Sequence, residues 1–130
     1  MSIENINSIV TLLALVMGMI SIILIWVYAV EAARGIAVVD FASYRQYVDT
    51  PYIFFLLINL IVWLTTSEAD KNIFSSYLMM SIFWLLTVFA IIILSFVMNI
   101  NETQKNKMRS TILSCLLKAL ISIIILMLIA

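Results

Sequence analysis

Residues 72–99 read NIFSSYLMMSIFWLLTVFAIIILSFVMN, a stretch that holds no charged side chain. A helix needs about 20 predominantly apolar residues to cross the hydrocarbon core of a bilayer, and this stretch exceeds that length. It therefore predicts a membrane-spanning helix, and the rest of the chain follows the same pattern.

Three further stretches are nearly free of charge. Residues 5–30 and 50–67 hold no charged side chain, and residues 110–130 hold only Lys118. The sequence predicts an all-α, polytopic membrane protein, a four-transmembrane-helix bundle formed by a single integral domain over residues 1–130. The predicted spans are roughly residues 7–30, 51–67, 72–99 and 111–130.

The overall composition excludes several classes of protein. Of 130 residues, 65% are hydrophobic and 11% are charged, whereas a soluble domain has about 45–50% apolar and about 25% charged residues. A soluble enzyme and a disordered linker are thereby excluded. Seven basic and seven acidic residues cancel, so no net field favours nucleic acid as a partner.

The sequence offers little material for catalysis or metal binding. It has no histidine and a single cysteine, Cys115, which excludes a disulfide framework and a cysteine-built zinc site. The predicted spans hold one amine, one thiol and no carboxylate, whereas proton transfer and nucleophilic attack need titratable groups held together. We expect a protein that is not an enzyme and binds no cofactor or metal.

Basic residues indicate how the chain crosses the membrane. Five lie in the loops that follow the first and third spans: Arg34, Arg45, Lys105, Lys107 and Arg109. The opposite side has only Lys71. By the positive-inside rule the five-residue side is cytoplasmic, and both termini lie outside the cytoplasm. Small size, short loops and the lack of a sorting signal favour a bacterial inner membrane.

The connecting segments carry helix-start signals. Asp40 is placed to cap a short helix over residues 41–47, and Pro51 is suited to the first position of the second span. Ser67 and Asp70 form a variant of the capping box, which predicts a tight turn and an antiparallel hairpin of spans two and three.

Two contacts are expected near the membrane surfaces. Glu31 and Arg34 are one helical turn apart and are placed to form an ion pair. Aromatic residues are expected to lie at the two interfaces: Trp26, Tyr28 and Tyr52 on the cytoplasmic side, Trp63 and Tyr77 on the other.

Lys118 is the main candidate for a functional site, because ionisable side chains within a membrane are usually functional. Asn59 lies at a similar depth, and Ser114 and Ser122 share the helix face of Lys118. We expect these four residues to form a polar or partner-contact cluster. Three roles are open: the lysine reaches the membrane surface, contacts a partner protein or lipid headgroup, or lines a path for ions or protons. In the first role, Glu31 and Asp49 near the cytoplasmic boundary are placed to meet the ammonium.

Small residues mark two candidate packing faces. Ala14 and Gly18 in the first span and Cys115 and Ala119 in the fourth are each four residues apart. Such pairs let helices approach closely in lipid. The polar stripes that contain them are expected to be packing seams, or else the lining of a polar path.

The length is similar to that of small four-span multidrug exporters and small fluoride channels. The exporters need a glutamate within the first span and the fluoride channels are glycine-rich, whereas this first span has no acid and the chain has two glycines. In size and charge placement the chain is similar to small immunity proteins against pore-forming bacteriocins.

Two functional classes remain. The first is a non-enzymatic membrane protein that acts by helix–helix contact, as an accessory subunit or an immunity-type protein. The second is a small oligomeric channel, exporter or holin-like pore. The expected partners are the lipid bilayer and another membrane protein or a second copy of the chain. A dry environment of Lys118 favours the first class, and a water-filled path favours the second.

Overall fold

The structure, a computed structural model, describes residues 3–65 and 70–129, with side chains for residues 6, 8–65 and 73–129. It contains four helices: α1 (Ile3–Ala33), α2 (Phe41–Thr65), α3 (Asp70–Val97) and α4 (Glu102–Ile129). Each contains a segment long and apolar enough to cross a membrane. No strand occurs within the described ranges. The predicted four-helix architecture is therefore confirmed.

The first loop is much shorter than the charge pattern suggested, because α1 continues to Ala33 and α2 begins at Phe41. A well-formed cap ends α1. Gly35 has a positive φ of 77°, a conformation that glycine adopts without a steric penalty. The Ile36 amide donates to the Glu31 carbonyl at 2.9 Å, and the Gly35 amide donates to Ala32 at 3.2 Å. This pair of bonds is a Schellman motif, and it turns the chain sharply towards α2.

The second helix is continuous, so the predicted break before Pro51 is wrong. α2 begins at Phe41, directly after Asp40 as predicted, and the expected short helix over residues 41–47 is its first two turns. Pro51 lacks the amide that would donate to the Tyr47 carbonyl four positions earlier. The next carbonyl along the helix, that of Val48, accepts from the Ser21 hydroxyl of α1 at 2.5 Å, so α1 contacts α2 within one turn of the proline.

The fourth helix begins at Glu102, well before the predicted start of the span at residue 111. The reason is a reciprocal cap: the Gln104 amide donates to Asn101 Oδ1 at 2.9 Å, and the Asn101 amide donates to Gln104 Oε1 at 2.8 Å. The helix thus extends through polar residues. The predicted turn at Ser67 and the last residues of the predicted spans ending at 67 and 130 lie outside the described residues.

The four helices run up and down, and their packing is uneven. Backbones approach most closely in the α1–α2 and α3–α4 pairs, α1 also contacts α3 and α4, and α2 approaches the backbones of α3 and α4 at few points. The predicted antiparallel arrangement of α2 and α3 agrees with this order, but the two backbones of the pair make few close contacts. Large rings fill the space instead: Phe55 and Tyr77 have centroids 5.2 Å apart, and Tyr52 and Trp84 5.8 Å apart.

Two terms describe position in the bundle. The loop end holds the connections between α1 and α2 and between α3 and α4. There Lys107 Nζ, in the second turn of α4, donates to the Ala37 carbonyl of the first connection at 2.9 Å. The terminal end is the opposite one, where α2 ends at Thr65 and α4 at Ile129. The α2–α4 seam is the loosely packed boundary between those two helices.

Candidate functional site: a buried ion-pair cluster in the α2–α4 seam

One face of α2 carries the polar residues of the candidate site. Arg45, Asp49 and Tyr52 follow one another at spacings of four and three, which places their side chains on one face of a helix. Because α2 runs unbroken through Pro51, this face is continuous from the loop end into the middle of the bundle.

Lys118 of α4 meets this face. Its Nζ lies 2.5 Å from Asp49 Oδ1 and 2.8 Å from the Ser114 hydroxyl oxygen. The lysine side chain is 4% exposed and that of Asp49 is 26% exposed. A buried ammonium is tolerated when a carboxylate and further acceptors satisfy it. The lysine extends towards the loop end, as a snorkelling lysine does, but it stops at a carboxylate inside the bundle.

Two aromatic rings complete the surroundings of the ammonium. Lys118 Nζ lies 5.7 Å from the ring centroid of Tyr52 and 5.8 Å from that of Trp84, within the range of cation–π attraction. The Tyr52 hydroxyl donates to the Lys118 carbonyl at 2.9 Å and is hydrogen-bonded to the Ser122 hydroxyl at 2.6 Å. Tyr52 therefore holds α4 against α2 through side-chain contacts.

Arg45 binds the other oxygen of the same carboxylate. Its Nε lies 2.9 Å from Asp49 Oδ2, and its side chain is 58% exposed. We call Arg45, Asp49, Ser114 and Lys118 the Asp49 cluster. Two cations share one carboxylate, so the cluster has a net charge of +1 when all three groups are ionised. The surplus positive charge is accessible at Arg45.

A cleft lies beside the Asp49 cluster at the loop end of the α2–α4 seam. Its volume is about 280 Å³, and residues of both helices line it, including Phe41 and Arg45 from α2 and Ser110, Leu113, Ser114 and Leu117 from α4. Ser114 also bonds Lys118. The cleft therefore joins an apolar surface to the charged cluster.

The four residues of the predicted polar cluster are only partly brought together. Ser114 bonds Lys118 directly, and Ser122 reaches the site through Tyr52. Asn59 is buried nearer the terminal end, where its Nδ2 donates to the Phe55 carbonyl at 2.9 Å. Asn59 belongs to the same face of α2 but not to the Asp49 cluster. The functional role of these residues stays a prediction.

All four predicted packing residues are buried. Ala14 and Cys115 have no exposed surface and Ala119 is 2% exposed. Gly18 is also buried, and a Cβ at this position would collide with the Met80 sulfur. The absence of a side chain at Gly18 therefore allows α3 to approach α1.

One other expected contact is not formed. The side chains described by the structure form ion pairs only at Asp49, so the prediction of a Glu31–Arg34 pair is wrong. Of the aromatic residues expected at the interfaces, three are buried in the bundle: Tyr28, Tyr52 and Tyr77. Their side chains supply internal hydrogen bonds or ring contacts, and their depth in the membrane stays a prediction. Trp63 is 51% exposed, as a residue facing lipid would be.

Sequence reasoning gave the acid of the site as one of two alternatives, because Glu31 and Asp49 are both expected near the cytoplasmic boundary, where either is placed to meet the ammonium of a snorkelling lysine. The structure selects Asp49. The prediction did not place Arg45 with them. That placement follows from the spacing of Arg45, Asp49 and Tyr52 on one helix face once the helix is continued through Pro51. Nothing in the sequence other than hydrophobicity indicated that Trp84 would lie beside the Lys118 ammonium.

No protein-family model, curated protein or solved structure matches this chain. Within residues 3–65 and 70–129, no three Asp, Glu, His or Cys side chains lie close enough together to hold a metal ion. The candidate site is therefore a buried ion pair, Lys118 with Asp49, beside an exposed cation, Arg45.

Proposed function

We propose that this integral membrane protein is not an enzyme and acts by helix–helix contact with another membrane protein. It serves as an accessory subunit of a membrane complex or as an immunity-type protein that blocks a membrane-inserting toxin. One observation carries the proposal: the Lys118 ammonium is enclosed by a carboxylate, a hydroxyl and two rings, and 4% of its side chain is exposed. A conducting path needs solvated polar groups instead.

The channel, exporter or pore alternative is less well supported, because the polar stripes that would line a shared lumen are inside each bundle. Thr11 and Ser21 of α1 are 7% and 0% exposed, and Thr111 and Ser122 of α4 are both 0% exposed. An oligomer formed through the outer faces of these helices would bring apolar side chains together.

The cleft of the α2–α4 seam is the proposed contact surface. Arg45 presents the surplus positive charge of the Asp49 cluster, and Leu113 and Leu117 supply apolar wall. Charge complementarity therefore favours a transmembrane segment that carries one carboxylate near the depth of Arg45. In a medium of low polarity such a pair also adds specificity, because a segment without the acid leaves the cation unpaired.

We place the protein in a bacterial inner membrane, with the loop end in the cytoplasm and both termini outside. The support is the basic residues at the loop end, among them Arg34, Lys105 and Arg109, together with the positive-inside rule.

Site-specific photocrosslinking in native membranes tests the contact surface. A benzophenone side chain at Leu117, in the cleft, is compared with one at Leu13 on the outer face of α1, which is 54% exposed. We expect one discrete adduct with a membrane protein at Leu117 and none at Leu13. Arg45→Glu should abolish the adduct and Arg45→Lys should largely keep it.

Reconstitution into liposomes tests the channel or pore alternative. The purified chain should leave the release of entrapped ions and dyes at the level of protein-free liposomes. Saturable conduction by the chain alone, or crosslinking at Leu13 and Leu117 with the same yield, would overturn the contact proposal. Adducts between tagged and untagged copies only would identify self-association as the contact.

A further inference from the structure

A second cavity lies at the terminal end of the bundle, away from the Asp49 cluster. It measures about 320 Å³ and is bounded by α2, α3 and α4, where the backbone of α2 approaches those of α3 and α4 at few points. Its walls include Leu60 and Trp63 of α2, Tyr77 of α3, and Ile125 and Leu128 of α4, and none of its lining residues is charged. A cavity of this size falls at the lower end of the range for small-molecule sites.

Asn59 gives this cavity one specific polar feature. It lines the cavity and is 1% exposed. Its Nδ2 donates to the Phe55 carbonyl, which can only accept, so the amide orientation is fixed by this bond. The other amide atom, Oδ1, is buried and has no hydrogen-bond partner. Buried acceptors without a partner are rare in folded proteins, and each one requires an explanation.

We propose that this cavity binds a small uncharged amphiphile, an apolar molecule with one hydroxyl group that donates a hydrogen bond to Asn59 Oδ1. The hydrocarbon part then packs against Leu60, Ile125 and Trp63, which all line the cavity. The proposed site is separate from the contact surface at the loop end and does not depend on it.

Other occupants fit these features less well. A water molecule needs two to four polar partners, and the cavity walls are almost entirely apolar apart from Asn59 and Tyr77. The acyl chain of a lipid has no donor. A transmembrane helix uses its backbone amides internally, so it has none to offer the Asn59 oxygen. An alcohol satisfies both the apolar walls and the single acceptor.

Photolabelling with two matched probes tests the proposal. Decanol carrying a diazirine in its chain is compared with its methyl ether, which has the same chain but no donor, in phosphatidylcholine nanodiscs. We expect saturable labelling by the alcohol at Trp63 and Tyr77, read by mass spectrometry, and about tenfold weaker labelling by the ether, the size of effect that one buried hydrogen bond gives.

Three variants make the test specific. Asn59→Leu should lower labelling by the alcohol to the level of the ether and leave the ether unchanged. Ile125→Phe, which fills the cavity and keeps the amide, should block both probes. Ser76→Ala is the matched control, because the Ser76 hydroxyl is also buried and unpartnered but does not line the cavity; it should label like the parent.

The proposal is overturned if both probes label equally, if Asn59→Leu labels like the parent, or if labelling is unsaturable and spread over all lipid-facing segments. The last result would mean that the probes only partition into the bilayer. Circular dichroism and gel filtration of each variant verify that the bundle is intact, so that a loss of labelling reports the site.

Discussion

Removing the carboxylate of the Asp49 cluster should be far more damaging than removing its exposed cation. Asp49→Asn replaces the carboxylate by a neutral amide and leaves the Lys118 ammonium buried without a counter-charge. Breaking a buried pair in this way costs about 3–5 kcal/mol, and we expect about 3 kcal/mol because Asp49 is 26% exposed. Arg45→Gln removes an i,i+4 pair with a 58% exposed arginine and should cost about 0.5 kcal/mol.

A double variant measures how much of these costs comes from the interaction between Asp49 and Lys118. Lys118→Met alone leaves Asp49 bound to Arg45 and should cost about 1 kcal/mol. Asp49→Asn with Lys118→Met removes the unpaired ammonium, so its stability should lie within about 1 kcal/mol of the parent. The double-mutant cycle should therefore give a coupling free energy of about 3 kcal/mol.

Reversible unfolding in mixed micelles of dodecyl maltoside and SDS, followed by far-UV circular dichroism, measures these free energies. The reasoning is refuted if Arg45→Gln costs as much as Asp49→Asn. It is equally refuted if the coupling is below about 0.5 kcal/mol, the level expected of independent sites, because Lys118 and Asp49 would then be solvated separately.

Three further predictions use the same unfolding assay. Ser21→Ala should cost about 1 kcal/mol, since it removes the buried hydrogen bond to the Val48 carbonyl beside the proline; an unchanged stability would contradict this. Gly18→Ala should cost about 1–3 kcal/mol by collision with Met80, and the cost should shrink in a Met80→Ala background; equal costs in both would exclude that contact as the cause. Asn59→Leu should keep or raise stability in the absence of ligand, because it removes a buried unpartnered acceptor; a marked loss would be inconsistent with an unsatisfied amide.

The architecture is predictable from the sequence because lipid imposes a single strong constraint. Charges are excluded from the hydrocarbon and backbone groups must be satisfied internally, so the charge-free stretches identify the four helices. Helix ends are less predictable, because they are set by caps outside the lipid. Asn101 and Gln104 start α4 in a polar segment that hydropathy does not register.

Only the part of the site that lies on α4 follows directly from the sequence. Lys118 and Ser114 stand on one helix and are visible as a pair at a spacing of four. Asp49 comes from another helix, and its place depends on whether α2 continues through Pro51. Local sequence rules place a helix start at such a proline, whereas in the bundle α2 is one helix on both sides of Pro51.

The Asp49 cluster is best understood as a device that sets geometry, since a buried ion pair contributes little net stability compared with apolar residues of similar volume. α2 approaches the α4 backbone at few points, so close packing alone fixes neither its rotation nor its register. The Lys118–Asp49 pair and the bond from Tyr52 to the Lys118 carbonyl align these two helices directly, whereas close packing reaches α4 from α2 only through α1. The same bonds engage one oxygen of Asp49 and leave Arg45 on the other. Register and recognition thus share one carboxylate: the contact that aligns α2 with α4 also determines where the surplus positive charge faces a partner.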